Sequence, residues 1–326
     1  MTTGTPTAAP AANGGGPAAG DPVALTPSAA PRSTGAGVAM VAGAVLSVQM
    51  GAAVAKLVFP LVGPSGVVLL RLVIAAVALG LIVRPRLVGR TRRDWLLAAV
   101  FGVVLAVMNL CFYQAVDRLP LGLAVTIELL GPLGLAVAMS RRAVELAWVG
   151  LAIVGVLLLG EGGQHLDPIG VMFALLAALC WAAYILLSAE AGRRFARVDG
   201  LAIAMVFAAV VAVPFGIASG GMTLLTPKVL LAAAAVALLS SVVNYSLELV
   251  ALRSVPARTF GVLMSLSPVA ATLAGFLVLG QRLGVVELVA ITCVILASAG
   301  TVLGSARRPT DSSPPQPSPA RLSPGS

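Results

Sequence analysis

The sequence predicts an all-α integral membrane protein whose ten transmembrane helices form an inverted five-plus-five repeat, and three observations carry that prediction. First, 59% of the residues are hydrophobic, 10% are charged and the mean hydropathy is +1.03, whereas roughly a quarter of the residues in a soluble domain are charged. Second, the chain between its tails divides into ten apolar runs, each close to the ~20 residues that span a bilayer core. Third, one punctuated stretch occurs twice: Pro120 to Pro132 reads PLGLAVTIELLGP, and Pro256 to Pro268 reads PARTFGVLMSLSP. Helices are the natural form for these runs, because a backbone in lipid must satisfy its own hydrogen bonds and nothing alternates with the period of a membrane barrel strand.

The runs lie at 37–59, 65–83, 94–116, 120–139, 144–160, 168–188, 199–218, 229–252, 256–279 and 284–304. Residues 1–35 are rich in Ala, Pro, Gly and Thr, and 305–326 form a Pro/Ser tail. Neither buries enough apolar surface to offset its ordering entropy, so both are expected to be disordered. The first stretch also lacks the basic start and short apolar core of a cleavable signal peptide, which leaves insertion to the first run. The domains are thus a tail at 1–35, a five-helix repeat at 36–160, a second repeat at 166–304 and a tail at 305–326.

Charge placement sets the orientation. Arg84, Arg86, Arg90, Arg92 and Arg93 fill one short loop; Arg141 and Arg142, then Arg193, Arg194 and Arg197, then Arg253 and Arg258, then Arg307 and Arg308 fill every second loop thereafter. The loops between hold little more than Arg118, Lys228 and Arg282. This positive-inside pattern puts both termini in the cytoplasm of a multi-pass cell-membrane protein. A net charge of +9 distributed this way argues against nucleic acid, which would draw the basic residues onto one domain.

Taken along the chain, the polar residues within the runs mark the candidate site. The first run carries Gln49 at its middle and Lys56 toward its end, where a lysine either snorkels to the interface or binds a ligand. The second carries Arg71 about a third of the way along, too deep for a flanking residue, with a salt bridge to Glu128 or recognition of a substrate carboxylate as its alternatives. In the third, Gly102, Ala106, Asn109 and Tyr113 share a face. In the fourth, Glu128 lies roughly 12 Å along the helix from Pro120, near the midplane, where an ionised carboxylate costs several kcal/mol unless paired, protonated or hydrated. Pro132 frees a carbonyl one turn before it. The sixth holds Trp181 and Tyr184 three residues apart, as packing or as ligand contacts. The eighth holds Ser241, Asn244 and Glu248 on one face, and the ninth a stripe of Gly261, Ser265, Pro268, Thr272 and Gly275 that either packs helices closely or lines a cavity. Cys111, Cys180 and Cys293 fall within runs without paired spacing, which argues against a disulfide framework or thiolate metal site. His165, the one histidine, reads as a solvated loop residue. No cofactor is indicated.

Aligning Pro120 with Pro256 and Pro132 with Pro268 also pairs Leu119 with Val255, and brings Asn109 and Asn244 within one residue of register. Each half has an odd number of runs, so the second half inserts upside down, as in many alternating-access transporters. A membrane-embedded enzyme or a receptor is the alternative class. The runs lack a metal-binding His/Asp cluster or a Ser/Lys or Asp/Asp pair at helical spacing, and the loops are too short for a catalytic or ligand-binding domain.

The stretches AAVAKLVFPLVGPSGVVLLRL, PLGLAVTIELLGPLGLAV, ALCWAAYILLS and NYSLELVALRSVPARTFGVLMSLSPVAATLAGFLVLG resemble the EamA-like transporters of the drug/metabolite transporter superfamily, and within it the bacterial threonine/homoserine exporters. The resemblance covers nearly everything between the tails. It implies ten helices as an inverted repeat, a bacterial cell-membrane protein and export of small neutral amino acids by proton exchange. It also implies that Lys56, Arg71, Glu128, Tyr245, Glu248 and Arg258 match positions of the family pattern. Ser267 and Gln281 depart from it, since the family carries acidic residues there; where either of those carboxylates carries the coupling proton, this chain uses Glu128 or Glu248 instead or couples differently. The expected site is therefore Arg71, Glu128, Asn109, Tyr113, Gln49, Trp181, Tyr184, Asn244 and Ser265 for an amino-acid substrate, with Glu128 and Glu248 for protons. The expected partners are substrate, protons and the lipid bilayer; a homodimer is left open. A transporter of another small metabolite or drug is the alternative within transport.

Overall fold

The computed structural model describes residues 34–139, 147–148, 150–152, 154–155, 166–195, 198–243, 247 and 262–305. Its regular elements are helical: α1 (Thr34–Val83), α2 (Arg92–Arg118), α3 (Leu121–Glu128), α4 (Leu130–Ala138), α5 (Pro168–Arg194), α6 (Asp199–Gly220), α7 (Pro227–Ala237), α8 (Ser267–Leu279) and α9 (Val285–Ser305). A short 3₁₀ segment at Gly221–Leu225 joins α6 to α7, and a π-helical segment at Leu238–Val243 continues α7. Among the described residues, six helical stretches are long and apolar enough to cross a membrane: Gly37–Val83, Arg92–Arg118, Leu121–Ala138, Pro168–Arg194, Asp199–Leu225 and Val262–Leu279. Pro227–Ser240 and Val285–Gly300 are shorter apolar helices. Most of the fifth run, the end of the eighth and the start of the ninth lie outside the described residues, as do both tails and His165.

The first two runs are two helices that meet at a sharp kink at Gly63 and are labelled together as α1. There φ is 69° and ψ is 166°, a backbone state that only glycine adopts readily. Pro60 and Pro64 flank the bend, and Pro64 brings no N–H to the helical ladder. The break leaves the Val62 carbonyl without its helical donor, and the Ser219 hydroxyl of α6 donates to it at 2.9 Å. A Cβ at Gly63 would lie 2.0 Å from that hydroxyl. The 47 residues of this stretch would extend about 70 Å if straight, enough to cross a ~30 Å core twice.

Helix α2 starts on a capping box, with Thr91 Oγ1 accepting from the Asp94 N–H at 3.3 Å and Asp94 Oδ2 accepting from the Thr91 N–H at 3.0 Å. It ends before Pro120. Helices α2 and α5 run antiparallel and are tied at both ends by charge. At one end Arg194 lies 3.9 Å from Asp94, and beside it Arg90, in the loop before α2, donates to Asp199 at the start of α6 at 2.9 Å. At the other, Arg118 lies 3.6 Å from Asp167, the N-cap of α5. Each helix has 27 residues, or roughly 40 Å, the depth of a bilayer with its headgroups. The two ion-pair clusters therefore sit where water meets lipid.

Both Pro-punctuated runs carry a local irregularity within a membrane-long helical stretch. In the first it is at Leu129, which keeps helical φ and ψ and i→i−4 bonds on both sides, and in the second it is a turn at Ser265 and Leu266, each beginning three residues before the second proline of its stretch. The cause is shared: a proline N–H is missing one turn after the irregularity, so the ladder loses a rung there. Helices α3 and α8 then pack together, Gly122 against Thr272 and Gly275 beside Leu121. This makes the lower part of the ninth-run stripe a packing surface.

The close approach of α4 to α5 depends on Gly131. A Cβ at that position would lie 2.0 Å from the Ala178 carbonyl oxygen and 2.7 Å from its carbon, and backbone cannot yield as a side chain can. Gly131→Val is therefore expected to destabilise the fold by about 1–3 kcal/mol, seen as a lowered Tm of the detergent-solubilised protein, whereas Gly134→Val, with open space at its Cβ, is expected to leave Tm close to wild type.

Candidate functional site

Arg71 lies in the second half of α1, within its membrane stretch. Its Nη1 donates to Asn109 Oδ1 at 3.1 Å and to the Tyr113 hydroxyl at 3.0 Å, both on α2. Four residues apart, Asn109 and Tyr113 stack on one helix face, and both are buried, at 7% and 1% exposure. Asn109 is held in turn by its own helix, donating Nδ2–H to the Leu105 carbonyl at 2.8 Å. Tyr113 is wedged against Phe59 and Phe112, with ring centroids 5.7 and 5.8 Å away. The guanidinium is thus fixed by two neutral groups, and its charge is not neutralised by them.

Glu128 ends α3 at the irregularity in the fourth run. Its carboxylate is partly buried and makes no hydrogen bond or ion pair among the described residues. The charge that acts on it is Arg71, but the two do not form a direct salt bridge, so that one of Arg71's two alternatives is not realised. Two neutral donors and acceptors on α2 hold Arg71 instead. Pro132 supplies no N–H to the Glu128 carbonyl, which leaves a polar backbone group beside the carboxylate.

Gln49 is buried at 7% exposure, and its Oε1 has no hydrogen-bond partner among the described residues. It lies one turn along α1 from Val45, which with Val41 forms a small cluster against which Met264 packs. Ser265, at the turn in the ninth run, shares a 2.9 Å hydrogen bond with Ser298 of α9. Tyr184 packs its ring 5.3 Å from Phe101 of α2, while Trp181 is partly buried one turn away. Asn244 and Glu248, with Tyr245 and Arg258, lie outside the described residues, and so does the side chain of Ser241.

Lys56 does not reach into this region. Its ammonium donates to the carbonyls of Val116 and Leu119, the latter at 3.0 Å. It therefore caps the C-terminus of α2, where carbonyls are unpaired and the helix dipole favours a cation. Two residues escaped sequence reasoning. Ser240, in the π-helical segment, has a buried hydroxyl with no partner that nearly touches Gly51, and Ser298 is the partner of Ser265. Lone serines in apolar runs carry no periodic signal, so neither was visible beforehand. Among the described residues no three His, Cys, Asp or Glu side chains gather as metal ligands, and the three cysteines are unpaired.

This geometry places a guanidinium held by neutral groups within electrostatic reach of a carboxylate that has no hydrogen bond or ion pair among the described residues, a pair whose charges match the two ends of a zwitterion. Comparison with known proteins identifies relatives of the chain. Residues 168–303 match the model of the EamA-like transporter family. The chain is 39% identical over 269 residues to the threonine/homoserine exporter RhtA of Salmonella typhimurium LT2, covering 82% of this chain and 91% of that one. It is 40% identical over 263 residues to RhtA of Escherichia coli K12, covering 80% and 89%. A solved crystal structure only 17% identical shares the fold with a TM-score of 0.57, over 83% of this chain and 98% of the other.

The hold on Arg71 can be measured directly. Tyr113→Phe removes one of its two side-chain partners and is expected to cost about 1.5–3 kcal/mol, the range for a hydrogen bond to a charged group, read as a lowered Tm. Asn109→Asp adds a carboxylate in contact with Arg71 and is expected to abolish ligand-induced thermal stabilisation by neutralising the guanidinium. An unchanged ligand response in Asn109→Asp would mean that Arg71's free charge is irrelevant to binding.

Proposed function

The chain belongs to the EamA-like transporter family, and from that premise we propose that it is a secondary transporter exporting small neutral amino acids of the threonine and homoserine type in exchange for protons. The observation that carries the site assignment is the Arg71 guanidinium, held by neutral Asn109 and Tyr113 at 3.1 and 3.0 Å with Glu128 unpaired nearby. A guanidinium takes a substrate carboxylate in bidentate geometry. Glu128 takes either the substrate ammonium or a proton. One carboxylate cannot hold both, so the proton displaces the substrate and the substrate displaces the proton, which is exchange.

Gln49, Asn109, Tyr113, Trp181, Tyr184, Asn244 and Ser265 line the remainder of the cavity in this reading. Gln49 supports it most, because a buried amide oxygen without a partner is costly and is relieved by a donor on the substrate. Glu248 is the second proton-coupling residue.

The architecture proposed with this mechanism is ten membrane helices in an inverted repeat, 36–160 and 166–304, with both termini cytoplasmic. Its support is the pair of local irregularities, each three residues before the second proline of its stretch, because Pro-interrupted segments in corresponding positions of two halves point to the site of inverted-repeat transporters. The halves rock around that site. The copies differ chemically: Glu128 in the first corresponds to Met264 in the second, with Ser265 and Ser267 beside it.

Two measurements test the reading. In proteoliposomes, counterflow is expected to accumulate labelled threonine or homoserine in preloaded vesicles, which an enzyme or a receptor does not do. With a pH gradient imposed, Glu128→Gln is expected to lose gradient-driven transport while keeping proton-independent counterflow, and Arg71→Gln is expected to raise the half-saturating substrate concentration roughly 10- to 100-fold, the equivalent of about 1.5–3 kcal/mol for a lost charged hydrogen bond. Full gradient-driven transport by Glu128→Gln would remove the carboxylate from the coupling role.

A further inference from the structure

Between α8 and α9, away from Arg71 and Glu128, a groove of about 540 Å³ is lined by Val269, Leu273, Phe276, Leu288, Ile291 and Ile295, together with Thr272, Thr292 and the connecting residues Gln281 to Leu283. The polar groups of this lining are nearly all engaged. Thr272 Oγ1 donates to the Pro268 carbonyl of its own helix, and Thr292 Oγ1 to the Leu288 carbonyl of its own, both at 2.8 Å. Gln281 Oε1 accepts from the Leu121 N–H at 3.0 Å. The charged group on the lining is Arg282, which is exposed and forms no ion pair among the described residues. An amino acid would find nothing here for its ammonium group. The chemistry that fits is an apolar tail with an anionic head.

The dimensions agree. From the connecting loop the groove reaches Val269 on α8, ten residues before Leu279, and Ile295 on α9, ten residues after Val285. Ten helical residues rise about 15 Å, half of a ~30 Å hydrocarbon core. The groove therefore runs from one membrane surface to the midplane, which is the reach of an acyl chain in one leaflet, and Arg282 stands at headgroup height. We propose that this groove binds the acyl chain of an anionic phospholipid whose phosphate pairs with Arg282. The proposal rests on the chain lying in a bilayer and not on what it transports. A second copy of the chain fits less well, since a twofold contact through this face would bring two like guanidinium groups into one interface.

Native mass spectrometry of the full-length protein released from nanodiscs containing equal phosphatidylglycerol and phosphatidylcholine tests it. Wild type is expected to retain phosphatidylglycerol about fivefold over phosphatidylcholine, the ratio that about 1 kcal/mol of headgroup attraction to one arginine gives. Arg282→Gln is expected to bring the ratio close to one. Ile291→Trp fills the groove and is expected to lose the retained lipid of either type while circular dichroism stays helical. Wild-type preference in Arg282→Gln, lipid retention by a folded Ile291→Trp, or a wild-type dimer that Ile291→Trp dissociates would each overturn it. Arg282 is exposed in a loop, so that arm stands even where Ile291→Trp does not fold.

Discussion

A guanidinium at membrane depth must be held, and the way Arg71 is held determines what the rest of the structure can do. Its partners, Asn109 and Tyr113, are neutral, fixed by α2 and by aromatic packing, and nearly inaccessible. Had Glu128 closed directly on Arg71, two opposite charges would have satisfied each other, and a zwitterion would have had to displace an ion pair strengthened by low dielectric. Neutral partners orient the group and leave its charge available. The requirement reaches outward: α1 has to lie against α2 so that Arg71 meets Asn109 and Tyr113, and α2 is anchored to α5 at both ends by ion pairs.

The irregular runs answer the same constraint on the backbone. A continuous helix satisfies all its N–H and C=O groups and offers a ligand nothing; lipid tolerates an interruption only where protein or a cavity takes over. Gly131 brings α4 against the α5 backbone, and Ser267 donates to the Met264 carbonyl at 2.6 Å, so each interruption is bordered by protein. The polar groups without a partner among the described residues include the Glu128 carboxylate and the Gln49 amide oxygen.

The class, most helix positions and the two irregularities were legible in the sequence, because apolar run length and proline placement are local properties. The deep arginine and carboxylate were legible too, since charges in a run of Leu, Val and Ala stand out. Their pairing was not. Arg71 lies 38 residues from Asn109 and 42 from Tyr113, and helical periodicity places residues on a face without saying which face meets which. Lys56 illustrates the same limit: it could be recognised as an interfacial cation, but its carbonyl partners at the end of α2 depend on tertiary packing. The kink between the first two runs is tied down by the Ser219 contact with Val62, a tertiary partner that no local pattern encodes.

Polar residues in membrane helices fall into two kinds, and hydrogen bonding separates them better than hydropathy. Thr126, Thr272 and Thr292 each donate to the carbonyl four residues earlier, which satisfies the hydroxyl within its own helix and leaves the surface effectively apolar. For this reason the threonines of the α8–α9 groove do not make it a path for a polar solute, and the small-residue face of α8 serves packing against α3. Arg71, Glu128 and Gln49 cannot be satisfied by their own helices in this way. Arg71 takes partners from another helix, while Glu128 and the Gln49 amide oxygen have none among the described residues. An unpaired polar group in hydrocarbon costs several kcal/mol, and a helix could replace it with leucine at no loss of packing. Under the proposed function, the interactions that Glu128 and Gln49 lack among the described residues are ones that a zwitterionic solute held at Arg71 would supply.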